Sequence, residues 1–188
     1  MKKWNGYETT QVMGSGRKKL PVGAYVCKVL EAREESYGWG SVLVIQFDIA
    51  EGEYKGFYQE QYNKQDKNKK WKGVYRISCP TDDGTPKDEH IKKAFKTFIH
   101  HIESSNKGYT WDWNESNLLG KQFGGVFGEK EYEIDGNSGF FITMRYTCEV
   151  DRLDKVQLPK PLMLKKDGTS NSNTSNDNTW EDAEGLPF

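Results

Sequence analysis

Segments that alternate apolar and polar residues, one segment with apolar residues at helical spacing, and glycine-rich turns between them predict a mostly β domain with one helix. The 188 residues suffice for one domain with a real core, and a polar C-terminal stretch is left over.

Gly23 to Ala32 places Tyr25, Cys27 and Val29 on one face and Lys28 on the other. Val42 to Ala50 alternates Leu43, Ile45, Phe47 and Ile49 against Val42, Val44, Gln46 and Asp48, so both segments read as half-buried strands. Between them, Arg33 to Gly40 holds Tyr37-Gly38-Trp39-Gly40, a turn whose aromatic residues have no evident core to enter. A third strand is predicted from Gly56 to Tyr62, and the strand pattern resumes at Val74 to Cys79 after the basic excursion from Asn63 to Gly73. Pro86 fits the first position of a helix, along which Ile91, Ala94, Phe95, Phe98, Ile99 and Ile102 form one buried stripe. Beyond the connector Tyr109-Thr110-Trp111-Asp112-Trp113, two strands follow at Lys121 to Tyr132 and Phe140 to Val150, joined by the turn Asp135 to Gly139. Gly124-Gly125 permits the sharp coiling a small closed barrel demands. Three strands, one helix and two strands is the order of an OB-fold, a five-stranded Greek-key barrel with its helix between the third and fourth strands. A helix packed on an open antiparallel sheet is the alternative.

The formal net charge of −1 conceals an asymmetry, because the five acids beyond Lys166 have no Lys or Arg among them and residues 1–166 carry +4. A modestly basic body with an acidic tail suits a binder of polyanions. The expected organisation is an N-terminal arm at 1–18, the domain at 19–164, a disordered linker at 165–179 rich in Ser, Asn, Thr and Asp, and an acidic tip at 180–188. No apolar run is long enough to span a bilayer and the start lacks the pattern of a secretory signal, so a soluble, cytoplasmic protein is expected, with no membrane partner. Cys27, Cys79 and Cys148 lack any paired spacing and are expected to be reduced, mostly buried thiols.

A protein that holds single-stranded nucleic acid without reading its sequence needs aromatic platforms interleaved with cations. Tyr37 and Trp39 stand in the loop after the first strand, with Lys28 and Arg33 near in sequence. Tyr58 and Tyr62 share a face of the predicted third strand, where they are as readily core as ligand contacts. Lys64, Lys67, Lys69, Lys70, Trp71, Lys72 and Arg76 follow, and a Trp between two lysines in a polar loop is poorly placed for burial. Trp111 and Trp113 are expected to pack the connector against the barrel.

Nothing in the chain predicts an enzyme, a cofactor or a metal. Gly14-Ser15-Gly16-Arg17-Lys18-Lys19 lacks the Gly before Lys of a phosphate loop and runs into a strand. His90, His100 and His101 lie on or near the helix with no further ligands indicated, and Asp82-Asp83-Gly84 is a turn.

The last residues are Trp180-Glu181-Asp182-Ala183-Glu184-Gly185-Leu186-Pro187-Phe188, in which Glu181, Asp182 and Glu184 precede an apolar Leu-Pro-Phe end. This resembles the partner-binding tip of bacterial and phage single-stranded DNA-binding proteins, with Ala183 and Gly185 interrupting the more usual unbroken acidic run. The body is similar to a family of phage and prophage proteins of Gram-positive bacteria at 19–28, 47–58 and 109–113. Together these resemblances imply single-stranded DNA binding in phage replication or recombination, with Trp180, the acids and Leu186, Pro187 and Phe188 recruiting replication or recombination proteins. They transfer no functional residue onto the body and no oligomeric state. The rivals are a protein-interaction adaptor and a carbohydrate-binding module, since aromatic platforms also suit sugars.

Overall fold

The computed structural model describes residues 18–134 and 136–164, together with Asn5. The expected tail, including Trp180 to Phe188, lies outside the described residues. Five strands, β1 (Gly23–Tyr37), β2 (Gly40–Ile49), β3 (Val74–Ser78), β4 (Gln122–Ile134) and β5 (Asn137–Cys148), form one open antiparallel sheet in the order β3-β2-β1-β4-β5. A short helix α1 (Phe57–Asn63) lies between β2 and β3, and the long helix α2 (Pro86–Ser105) between β3 and β4.

The alternation legible in the sequence sets the two faces. Cys27, Val29, Leu43, Ile45, Phe47, Ile49, Ile77, Phe123, Phe127 and Met144 turn inward and join Phe98, Ile99 and Ile102 of α2 in the core. Pro86 occupies the first turn of α2 as predicted, and the Thr85 side chain caps it by accepting the Asp88 N–H at 3.1 Å. A β-bulge between Val29 and Glu31 bends β1, which pairs with β4 from Gly23 to Lys28 and with β2 from Cys27 to Tyr37. Gly125 allows a close approach there, since a Cβ at that position would meet Met144 at 2.6 Å and Cys27 Sγ at 2.8 Å.

The predicted third strand is corrected: Phe57 to Asn63 is helical, and β3 is the segment where the strand pattern resumes at Val74. Tyr58 and Tyr62 are four apart, which suits one helix face as well as one strand face, and burial of the adjacent pair Phe57 and Tyr58 is a helical pattern. The preceding residue, Gly56, has no side chain to cap the helix. Asp48 of β2 serves instead, accepting the N–H groups of Ile49 at 2.8 Å, Tyr58 at 2.9 Å and Gln59 at 3.0 Å. The first strand is also longer than expected and runs through Arg33 to Tyr37, so only Gly38 and Trp39 form the hairpin turn.

No helix among the described residues is long and apolar enough to cross a membrane. The three cysteines are free thiols, with Cys27 and Cys148 buried. Burial pushes Cys27 well up and Cys148 to about 11, so both remain protonated at neutral pH.

Candidate functional site

The outward face of β1, β2 and β3 is built from the residues that alternate with the core cluster, and of these Val42 and Val44 are themselves buried. Arg33, Val44 and Arg76 are in register across the three strands, as are Glu35, Val42 and Ser78. At the hairpin end of this face, Gly40 at φ 142 takes up backbone space that residues with a Cβ avoid. The tight turn holds the Tyr37 and Trp39 rings stacked, with centres 5.2 Å apart and planes 5° from parallel. Trp39 is 71 % exposed, so its outer face is available to a further flat group.

Charge on this face is more balanced than the sequence implies. Arg33 lies between Glu31 and Glu35, at 2.7 Å from each carboxylate, and a phosphate reaching it would compete with both. The Tyr37 hydroxyl donates to Glu35 at 2.5 Å. That bond, then Arg33, and more weakly Arg76, hold Glu35 below the usual carboxylate range. Lys28 is exposed near the far end of β1, and Arg76 is exposed on β3.

The basic excursion forms a shaped loop. The Gln65 amide closes it by accepting the Lys70 N–H at 2.8 Å and donating to the Lys70 carbonyl at 3.0 Å. Lys67, Lys69, Lys70 and Lys72 are thereby held exposed, with Lys69 Nζ 5.5 Å from the Tyr62 ring centre, while Lys64 pairs with Glu60 at 2.6 Å. The expectation that Trp71 is poorly placed for burial is corrected. Its indole N–H donates to the Phe47 and Gly73 carbonyls, each at 3.1 Å, and its half-buried ring packs on the core and against Tyr62 at 5.7 Å. Tyr58 is buried, 5.3 Å from Phe47, and desolvation raises its phenol far above the ordinary range. It is a core residue; Tyr62 is half-buried.

The predicted residues therefore divide into two groups. Tyr37, Trp39, Arg33 and Arg76 share the hairpin half of the outward face. The lysine loop joins the sheet at the opposite end of β2, where Phe47 N–H bonds the Gly73 carbonyl. Spanning β2 from Gly40 to Gln46 is about 20 Å at strand rise.

The connector departs from expectation in one residue. Trp111 packs as predicted, its ring 6.4 Å from Phe95, but Trp113 is 81 % exposed with φ 64. The flanking Asp112 and Asn114, residues that favour turns, were the available signal. His101 Nδ1 is 2.9 Å from Thr147 Oγ1 and His100 is exposed, and no group of His, Cys, Asp and Glu among the described residues could hold a metal. A cleft of about 80 Å³ lies where α2 meets β3 and β5, lined by Arg76, Phe98, His101 and Arg145 among others. It is far below the roughly 300 Å³ of a small-molecule site. What these described residues offer is an exposed aromatic stack and separated cations. Comparison with known proteins found no matching family model and no matching curated protein.

Proposed function

We propose that this chain binds single-stranded DNA without catalysis, by stacking bases on Trp39 and Tyr37 and neutralising phosphates with Arg76 and the loop lysines. The observation that carries this reading is the Tyr37–Trp39 pair, two parallel rings with one face open to solvent at the edge of a sheet face that also bears Arg76. An exposed stack at a fixed angle gains little for folding but presents a ready face to an unpaired base. We further read the sheet as an OB-type barrel opened between β3 and β5. Its strand order is what a closed ring 1-2-3-5-4 becomes when cut there, and OB-folds bind oligonucleotides on the second and third strands and the first hairpin. In this reading the acidic tip Trp180 to Phe188 recruits replication or recombination proteins of a phage or prophage to the coated strand.

The deciding experiment is a tryptophan fluorescence titration with oligo-dT, duplex DNA and a neutral oligosaccharide. Quenching by oligo-dT alone is expected, because only an unpaired strand offers base faces together with phosphates. Saturable quenching by the oligosaccharide alone would replace this reading with a carbohydrate-binding one.

A further inference from the structure

Trp113 is held out of the core by its own surroundings. A bulky aromatic residue rarely adopts the left-handed backbone, and such strain persists only where neighbours hold it. Here the Asp112 carboxylate accepts the Asn114 N–H at 3.3 Å and the Asn117 amide at 2.6 Å, while Asn114 accepts the Ser116 N–H at 3.0 Å. The Trp111 backbone N–H donates to the Glu103 carboxylate of α2 at 2.8 Å. One indole anchors the connector and the next, 6.2 Å away, stands in solvent.

The segment that follows the connector continues the sheet. Past Lys28, where β4 leaves β1, Gly120 N–H bonds the Val29 carbonyl and Val29 N–H bonds the Lys121 carbonyl, each at 2.9 Å. Gly120 and Lys121, which follow the connector, thus flank β1 on the side away from β2. Cations lie on this flank, with exposed Lys28 beside Gly120 and Lys121 Nζ 4.5 Å over the Tyr109 ring. Of the nearby acids, Asp112 and Glu103 accept the bonds just described, while Glu115, two residues from Trp113, opens the 3-10 turn Glu115–Leu118.

We propose that Trp113 is a second stacking platform for the same single strand, which leaves the sheet face past β1 and runs by Lys28 and Lys121. This rests on the single-strand reading of the Tyr37–Trp39 face. The test titrates full-length protein and its Trp39→Ala, Trp113→Ala, Trp113→Asn and Trp113→Phe variants with labelled oligo-dT of about 24 nucleotides, longer than one such fold covers. Trp113→Ala and Trp113→Asn should weaken binding about 5- to 100-fold with an unchanged salt slope, because a stacked base releases no counterion. Trp113→Phe should recover most of the loss. Asn tolerates the left-handed backbone, so Trp113→Asn should melt no lower than the parent. Wild-type affinity in both Trp113→Ala and Trp113→Asn, beside a weakened Trp39→Ala, would overturn this proposal and leave the first reading standing. A parent protein that binds no oligo-dT would overturn both. Weakened binding that tracks a lowered melting temperature and is not recovered by Phe would assign Trp113 to folding and overturn the proposal.

Discussion

Replacing Trp39 and Trp71 separately by Ala should pull affinity and stability apart. Trp71 is half-buried, donates one N–H to two backbone carbonyls and packs on the core, so its truncation loses part of the about 3–5 kcal/mol of a buried Trp plus about 1 kcal/mol of hydrogen bonding. We expect a loss of about 2–4 kcal/mol, which at about 2–4 °C per kcal/mol for a chain of this size lowers the melting temperature by about 5–15 °C. Trp71→Phe keeps the ring and loses only the bond, about 1 kcal/mol. Trp39, largely in solvent, forfeits its stack on Tyr37, about 0.5–1.5 kcal/mol, and should shift melting by no more than about 5 °C. Affinity should respond in the opposite order. Trp39→Ala should lose about 1–3 kcal/mol of oligo-dT binding, while Trp71→Ala, measured well below its melting temperature, should lose little. Circular-dichroism melts and fluorescence-anisotropy titrations of the variants read both quantities. Trp71→Ala melting like the parent but failing to bind would show that the Trp71 ring is a ligand platform after all, and an unimpaired Trp39→Ala would remove the hairpin from the site.

Replacing Lys69, Lys70 and Lys72 together by Ala should flatten the plot of log affinity against log salt by about 0.7 for each phosphate no longer neutralised, and a parallel plot would detach the loop from the ligand. Asp48→Ala leaves three N–H groups without their acceptor and uncaps α1, so urea denaturation should report a loss of about 1–3 kcal/mol; an unchanged midpoint would deny Asp48 that role. Burial holds His101 below the ordinary histidine range, against the opposing pull of Glu149, so folding favours its neutral form. That contribution is present above the unfolded value of about 6.5 and is lost as pH falls below it, and a His101→Gln variant should show a correspondingly smaller drop in melting temperature between neutral and mildly acidic pH. Deleting Trp180 to Phe188 should leave melting unchanged, remove partner proteins from a lysate pull-down and raise oligo-dT affinity only at low salt. Retained partners with lost DNA binding would reverse the roles assigned to body and tail.

What the sequence made legible follows from whether neighbours in the chain or distant residues decide a position. The stripe of Ile91, Phe98, Ile99 and Ile102 and the capped start at Pro86 are local patterns, and α2 matches them. The exposure of Trp39 was legible for the same reason, because a residue between two turn glycines has no evident core to enter. Phe57 to Asn63 was misread as a strand because its cap comes from Asp48, a residue on the preceding strand that no local pattern points to. Trp71 was misplaced because its partners, the Phe47 and Gly73 carbonyls, meet only once β2 and β3 have paired. Arg33 looked available for phosphate because its two carboxylates come into reach only in an extended strand, where residues two apart share a face.

The separation of the two candidate binding regions constrains the shape of ligand that could use both. The hairpin stack offers a flat apolar surface where Arg33 is already paired, and the loop offers four exposed lysines with little to stack on beside them. They stand at opposite ends of β2, about 20 Å apart at strand rise. A compact anion could reach only one of them, and a duplex reaching both would keep its base faces stacked inside and give nothing to Trp39. A single strand laid along the outward face presents phosphates to one end and an unstacked base to the other. Stacking is insensitive to salt and counterion release is not, so the two ends should contribute separably, with the hairpin setting the affinity that survives high salt and the loop setting how steeply affinity falls on the way there.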